Sequence, residues 1–235
     1  MAIDAKKILA VIAAVIAGLF LWSTPWVYPL KLLMVFMHEC GHALAALAVG
    51  GSVDSITISP NEGGLCLSRI RPSFFNETVV SSAGYLGSAL SGALLLYLSL
   101  RSRSGKRLLG GLALFLLVAG LLWARSLFTI GVVLGLAATI GLLARYLPDD
   151  ASRGAGFFIA VFNSLYVLFD VRDDLWDSAR RTQSDAAILA SHTWIPSVVW
   201  AALWTVLSLA LLGTALWLGS RGRRARTASA RLAAR

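Results

Sequence analysis

Stretches of about twenty apolar residues follow one another along most of this 235-residue chain, and a helix of that length crosses the hydrocarbon core of a bilayer. Hydrophobic residues make up 57% of the sequence and charged residues only 14%, which is too little charge for the surface of a soluble domain. The pattern predicts an all-α, multi-pass membrane protein with about six to seven transmembrane helices. We place seven predicted spans at Ile8–Tyr28, Leu32–Gly50, Val79–Leu100, Leu108–Ala124, Leu127–Ala144, Gly154–Val171 and Ile195–Leu218.

The net charge of +9 does not indicate a nucleic-acid partner, because the basic residues lie in short loops and in a tail between and after the spans. Six of the 21 Lys and Arg residues lie in 221–235. We therefore predict one membrane domain over 1–218 and a basic, disordered tail over 219–235. The basic loop 101–107 and the tail are separated by an even number of predicted spans. The positive-inside rule then predicts a cytoplasmic C-terminus and, with seven spans, an N-terminus on the opposite side.

The second predicted span carries the motif His38-Glu39-Cys40-Gly41-His42. On a helix, two His residues four positions apart share one face, which is the spacing of two zinc ligands, and the Glu that follows the first His is suited to act as general base. The rest of Leu32–Gly50 is uncharged, and an ionisable residue at membrane depth is costly enough to indicate a function. We therefore predict His38 and His42 as metal ligands and Glu39 as the catalytic residue. Cys40 points away from the two His residues and is interpreted as a packing residue.

A catalytic zinc ion usually takes three protein ligands and leaves one position for water. The predicted third ligand is Asp170, which ends the sixth span, since that span runs in the same direction as the motif helix. Asp174, one helical turn further, is the alternative ligand or a hydrogen-bonding partner of a ligand. Four further residues are not favoured as ligands: Asp173, Asp177 and Asp185, which we interpret as solvated charges at the interface, and His192, which lies in a predicted loop.

Two more polar features lie within the predicted spans. Asn163 lies seven residues before Asp170 on the same helical face, where it either donates a hydrogen bond to a substrate carbonyl or oxyanion, or makes a buried bond between helices. Gly84, Ser88 and Gly92 are spaced four residues apart, and such a face of small residues lets another helix approach closely. The expected partner of this face is the motif helix.

Between the second and third spans the sequence changes to β-branched and apolar residues on either side of the turn sequence Pro60–Gly64. This predicts a short β-hairpin over 53–70, directly after the motif helix. An open sheet edge cannot face lipid, so the hairpin must lie in the interface or against protein. An edge strand of the hairpin is a candidate for holding an extended substrate by β-augmentation.

The chain resembles the site-2 protease family of intramembrane zinc metallopeptidases. Three segments carry the resemblance: the His38–Ala43 motif running into Gly50-Gly51 and the hairpin, the Ser82–Ser88 segment of the next span, and the Asn163–Asp170 segment. The most similar branch is the one called B-like, in which a span ends in an Asp that is followed by a paired Asp and then by Ser-Asp-Ala, here Ser184-Asp185-Ala186. The prolines and the glycine of the family's Asn-Pro…Leu-Asp-Gly segment are absent.

The resemblance implies a zinc-dependent endopeptidase, with one Zn²⁺ per chain, that hydrolyses a peptide bond in or near a transmembrane segment. It also implies a membrane-anchored protein substrate and a location in a plasma membrane of bacterial type, in contact with the lipid bilayer. The alternative is a non-catalytic, chaperone-like membrane binding protein that retains the fold. The intact Glu39 argues against this alternative, because a site that only holds a metal has no need of a general base.

Overall fold

The structure is a computed structural model that describes residues 5–102, 104–176 and 184–220. It is built from helices, with one two-stranded antiparallel sheet after the second helix. In chain order the elements are α1 (Ala5–Leu21), α2 (Tyr28–Ala48), β1 (Ser52–Ile58), β2 (Gly64–Arg69), α3 (Phe74–Arg101), α4 (Gly105–Trp123), α5 (Leu127–Tyr146), α6 (Asp149–Trp176), α7 (Asp185–Thr193) and α8 (Ser197–Ser220).

Six of the described helices are long and apolar enough to cross a membrane, namely α2, α3, α4, α5, α6 and α8. The predicted helical membrane class, with a hairpin after the motif helix, is confirmed. The first predicted span is shorter than expected, because α1 ends at Leu21 and Pro25 begins a 3-10 turn that leads into α2. At the other end, α8 continues to Ser220, so the first two residues of the predicted tail over 219–235 are helical. The rest of that tail, 221–235, lies outside the described residues.

Lys7 shows which helix ends lie together. Its ammonium group donates to the carbonyl of Leu100 at 3.3 Å and to the carbonyl of Gly219 at 2.8 Å. The start of α1 therefore lies at the same end of the bundle as the ends of α3 and α8. The basic loop after α3 and the end of the last helix share a side, as predicted. The expectation of opposite sides for the two ends of the chain is wrong for the described residues, because Lys7 at the start of α1 contacts Gly219 near the end of α8.

Small residues bring α2 and α3 into close contact. A Cβ on Gly41 would overlap the backbone carbonyl of Ala83, and a Cβ on Gly87 would lie 3.0 Å from the Cα of Gly41. Of the predicted small-residue face of α3, Gly84 packs on the motif helix as expected, since a Cβ on Gly41 would lie 3.4 Å from the Cα of Gly84. Further along the same face, Gly92 lies against α6, so this stripe of small residues serves two helix contacts.

The hairpin lies along α2 with one edge covered by protein. β1 and β2 are antiparallel, with Ile56 opposite Cys66 and Ile58 opposite Gly64. The outer edge of β1 is satisfied by the bundle, since the Ile58 N–H donates to the Thr129 hydroxyl at 2.9 Å and Ile56 forms a bridge with Ala124. Such pairing removes the exposed backbone groups that would be costly in a membrane. It also leaves β2 as the edge strand.

The tip of the hairpin is fastened to the start of α2. The Tyr28 hydroxyl donates to the Pro60 carbonyl at 2.8 Å, and the Lys31 ammonium lies 3.3 Å from Glu62 Oε1. The hairpin is thus held at both ends, by its connection to α2 at Gly51 and by these contacts at its tip. This arrangement places the first residues of β2 beside the motif.

Candidate metal centre

The motif places both imidazoles on one face of α2, with ring centroids 4.9 Å apart. Asp185 meets them from α7, with its Oδ2 atom 3.1 Å from His38 Nε2 and 3.2 Å from His42 Nε2. All three side chains are largely buried, at 11–16% exposure. Within the described part of the chain, these residues form the group whose ligand atoms converge closely enough to hold one metal ion. Two imidazoles and a carboxylate are a donor set typical of catalytic zinc.

Asp185 reaches the site because the local sequence begins a helix there and docks it on the bundle. The Ser184 side chain accepts a hydrogen bond from the Ala187 N–H and caps α7, so Asp185 is the first residue of the helix. Ala186 and Leu189 then bury one face of α7. The interpretation of Asp185 as a solvated interfacial charge is therefore wrong. Its sequence signal was a Ser N-cap followed by apolar residues at helical spacing.

The charge state of Asp185 suits a metal ligand. Burial alone would raise the pKa of its carboxyl, but the nearby imidazoles of His42 and His38 outweigh burial and hold this pKa well below its usual range. The carboxylate is consequently ionised at neutral pH, which is the form that binds a metal.

His42 is oriented by the backbone of α3. Its Nδ1 atom lies 2.7 Å from the carbonyl oxygen of Val80. Because a carbonyl can only accept, Nδ1 must carry the hydrogen, and the lone pair of Nε2 is left for a metal. This hydrogen bond fixes both the tautomer and the plane of the ring.

Asp170, the predicted third ligand, lies at the other side of the His38 ring. Its Oδ2 atom is 3.6 Å from His38 Nδ1, whereas Asp185 faces Nε2. The structure thus brings the predicted residue to the site, but on the opposite nitrogen from the converging group. His192, at the end of α7, does not join that group, because its Nδ1 atom lies 3.6 Å from Glu77 Oε2. The side chains of Asp173 and Asp174, and the whole of Asp177, are outside what the structure describes.

Glu39 lies between the two His residues in sequence and is buried, with 6% exposure. The neighbouring β2 begins with Gly64, where a Cβ would overlap Glu39 Oε1. On the other side, a Cβ on Gly84 would overlap Nε2 of His38 and would press on that of His42. Two glycines, one on β2 and one on α3, therefore bring no side chain of their own into the space in front of the motif.

A first prediction follows from Gly84. Replacing Gly84 with Ala is expected to lower zinc affinity by about tenfold or more, because the new methyl group occupies space beside both ligand nitrogens. The measurement is competition with a chromogenic chelator in detergent. Gly131→Ala on α5 is the matched control, since nothing lies within 4 Å of a Cβ there. Equal zinc affinity in the two variants would contradict the assigned position of the metal.

The group opens into a cleft of about 590 Å³. The cleft is lined by the motif residues, by Asp170 and Asp185, by the Asn61–Cys66 part of the hairpin, and by Tyr85 and Tyr166. The backbone N–H and C=O groups of Ile56 and Ile58 point away from β2, toward Ala124 and Thr129. In an antiparallel pair, the residues opposite such positions point their own backbone groups away as well, so those of Cys66 and Gly64 face the other edge of the sheet. That edge of β2 borders the cleft, and no described residue pairs with it.

Asn163 does not line the cleft. Its side-chain amide donates to the Ser88 carbonyl at 3.0 Å and to the Ser91 hydroxyl at 2.9 Å, so it joins α6 to α3. Of the two interpretations open from the sequence, the interhelical hydrogen bond is the one observed. Cys40 is 1% exposed within an apolar cluster, as predicted for a packing residue.

Sequence reasoning missed two tyrosines of the site. Tyr85 and Tyr166 both line the cleft, and the ring of Tyr85 meets that of His38 nearly perpendicularly, with centroids 5.0 Å apart. Tyr85 lies in the Ser82–Ser88 segment that carried part of the resemblance. Tyr166 lies one helical turn before Asp170, and this spacing was the available signal.

Comparison with known proteins gives one match. The sequence model of a family described as Peptidase M50B-like matches residues 11–215, which is most of the chain. No match was found among the curated proteins or among the solved structures.

Proposed function

We propose that this chain, which belongs to the Peptidase M50B-like family, is a zinc-dependent endopeptidase that hydrolyses a peptide bond in or near the transmembrane segment of a membrane-anchored protein. Its family is one of intramembrane metallopeptidases, and its six span-length helices make it an integral, multi-pass membrane protein. The observation that carries the proposal is the convergence of Asp185 with His38 and His42 beside the buried Glu39.

The proposed ligands of one zinc ion are His38, His42 and Asp185. The donor set and the 3.1 and 3.2 Å contacts of Asp185 Oδ2 with the two Nε2 atoms support this assignment. Asp170 lies beside Nδ1 of His38, where an acidic partner increases the basicity of a ligating imidazole and favours one tautomer. We propose that role for Asp170, in place of the ligand role predicted from the sequence.

A zinc ion held by His38, His42 and Asp185 would supply a Lewis acid, which would polarise the scissile carbonyl and lower the pKa of a water molecule. Glu39 accepts a proton from the attacking water as the new C–O bond forms, and it delivers that proton to the nitrogen as the C–N bond breaks. Burial of Glu39 beside Gly64 keeps the carboxylate close to any peptide bound in the cleft. Its position one residue from a ligand provides the short reach that proton transfer needs.

The free edge of β2 is the proposed binding site for the substrate backbone. Helical peptide bonds are shielded by their own hydrogen bonds, so the segment to be cut must be unwound and held extended. The outward backbone groups of Gly64 and Cys66 can pair with such a segment and keep it beside Glu39. This proposal keeps the β-augmentation expected from the sequence and assigns it to β2.

A second prediction tests this edge. Cys66→Pro removes an outward N–H while sparing the bonds between β1 and β2, and it is expected to reduce cleavage of a single-span substrate by about tenfold. Cys66→Ala is the control for loss of the thiol. Both variants should bind zinc like the wild type. Unchanged cleavage by Cys66→Pro would exclude pairing at this edge.

The basic residues support a cytoplasmic position for the C-terminal end. The end of α3, the end of α8 and Lys7 lie together, and the basic loop and tail continue from there. A protease-cleavable tag fused after Arg235 would test this assignment. Protection of the tag from protease added outside intact cells supports a cytoplasmic C-terminus, and digestion of the tag excludes it.

A further inference from the structure

A stack of aromatic rings connects the last helix to the metal group. The Tyr85 ring of α3 meets the His38 ring at an interplanar angle of 85°. Tyr85 also stacks on Trp204 of α8, with centroids 4.7 Å apart and planes 22° from parallel. Trp200, one turn earlier on α8, lies 6.2 Å from Trp204. Tyr85 and Trp204 are 2% and 1% exposed, so neighbouring side chains hold both rings in place.

The same face of α8 supports the helix that carries Asp185. Ala186 and Leu189 of α7 are buried in one apolar cluster with Tyr85, Trp200 and Trp204. At the other end of α7, the Trp200 indole N–H donates to the Thr193 hydroxyl at 3.0 Å. The aromatic residues of α8 therefore contact α7, which carries Asp185, and Tyr85 of α3, whose ring packs on His38, although α8 contributes no member of the converging group.

The two imidazoles differ in what restrains them. His42 has a hydrogen bond of 2.7 Å from Nδ1 to the Val80 carbonyl. His38 has Asp170 at 3.6 Å from Nδ1, which is beyond the roughly 3.2 Å limit of a good N–H···O hydrogen bond. Its hydrogen-bond contact, at 3.1 Å, joins Nε2 to Asp185, on the side of the ring that faces the proposed metal position. On the Nδ1 side, the plane of the His38 ring thus depends on packing rather than on a hydrogen bond. The perpendicular packing of Tyr85 against the ring provides such a restraint.

We infer that Tyr85 and Trp204 are positioning residues of the metal centre, and that α8 fixes the plane of the His38 imidazole through the Trp204–Tyr85 stack. The inference rests on the proposed function, because it concerns the same zinc site. It assigns the last helix a role in metal affinity. It also predicts that tight zinc binding requires aromatic rings at these two positions and that an aliphatic side chain does not replace them.

The test compares variants that keep or remove each ring. Zinc affinity is measured by chelator competition in detergent for Trp204→Phe, Trp204→Leu, Tyr85→Phe and Tyr85→Leu. The Phe variants are expected to stay within about threefold of the wild type, and the Leu variants to bind zinc about tenfold more weakly. Leu116→Ala is the control, since Leu116 is fully buried on α4 in a different cluster, and its loss should lower the Tm without changing zinc affinity.

The outcomes separate this inference from the proposed function. If the wild type binds zinc and both Leu variants bind it equally well, the inference fails while the proposed function stands. If the Phe variants lose as much affinity as the Leu variants, a role of the rings in orientation is excluded. A wild type that binds no zinc overturns both. If Trp204→Leu does not fold, the zinc affinity of Tyr85→Leu alone tests the inference, because replacing Tyr with Leu removes less side-chain volume than replacing Trp with Leu.

Discussion

Replacing Glu39 with Gln is expected to reduce peptide-bond hydrolysis by about 10²–10⁴-fold, the contribution typical of a general acid–base residue. Gln keeps the size and shape of the side chain beside Gly64 but cannot take a proton from water. Zinc content should stay at the wild-type level, since Glu39 is not part of the converging group. The measurement is cleavage of a panel of single-span reporter proteins in liposomes, with zinc content determined on the same samples.

Glu77→Gln is the matched control for this experiment. Glu77 lies near the start of α3 and faces His192, outside the cleft, so its loss should leave cleavage and zinc content unchanged. Wild-type cleavage by Glu39→Gln would show that another residue transfers the proton. Loss of zinc together with cleavage would mean that Glu39 acts on the metal rather than on water.

Replacing Asp185 with Ala is expected to weaken zinc binding on the order of a thousandfold, the effect of losing one ligand from a site worth about 10–16 kcal/mol. Asp170→Ala should weaken it by about 10–100-fold, the effect of losing an acidic neighbour that increases the basicity of a ligating imidazole. The difference follows from geometry, because Asp185 Oδ2 contacts both Nε2 atoms and Asp170 faces only Nδ1 of His38. Isothermal titration with zinc after removal of metal by chelation measures both values.

The reverse order of the two effects would identify Asp170 as the ligand, as the sequence predicts, and Asp185 as its partner. Asp54→Ala controls for general loss of negative charge, since Asp54 lies on the exposed side of β1 and pairs with Arg69. Its zinc affinity should equal that of the wild type.

The helical architecture was predictable because membrane helices are defined by local composition. Runs of about twenty apolar residues are sufficient to locate most of the membrane-spanning helices, including the one that carries the motif. Even the α4–α5 boundary was predicted at Arg125, where the observed helices end at Trp123 and begin again at Leu127. The prediction failed at α1, because an apolar run does not reveal that Pro25 splits Ile8–Tyr28 into a short helix and a turn.

The site was predictable only as far as its residues are close in sequence. His38, Glu39 and His42 share a helical face through their spacing alone. Asp185 is 143 positions from His42, and its contact with the two imidazoles depends on how α7 docks against α3 and α8. Ser184 and the apolar residues after it indicated a capped helix, but five Asp residues lie within positions 170–185, and spacing alone could not choose among them.

Gly64 and Gly84 illustrate another limit of sequence reasoning. Both matter because they lack a side chain where β2 and α3 approach the motif. Gly84 was recognised as a small packing residue on α3, but its position beside two imidazole nitrogens depends on the packing of α2 against α3. A pattern of small residues predicts close approach. It does not indicate that the approach leaves space for a metal ion.

The most direct test of the central claim is the metal content of the wild-type protein, purified in detergent and analysed by elemental mass spectrometry. We expect about one zinc per chain, removable by a chelator and restored by added zinc, as for a three-ligand catalytic site. Absence of zinc, even after reconstitution with excess metal, would contradict the assignment of His38, His42 and Asp185 as a zinc site and with it the proposed peptidase activity.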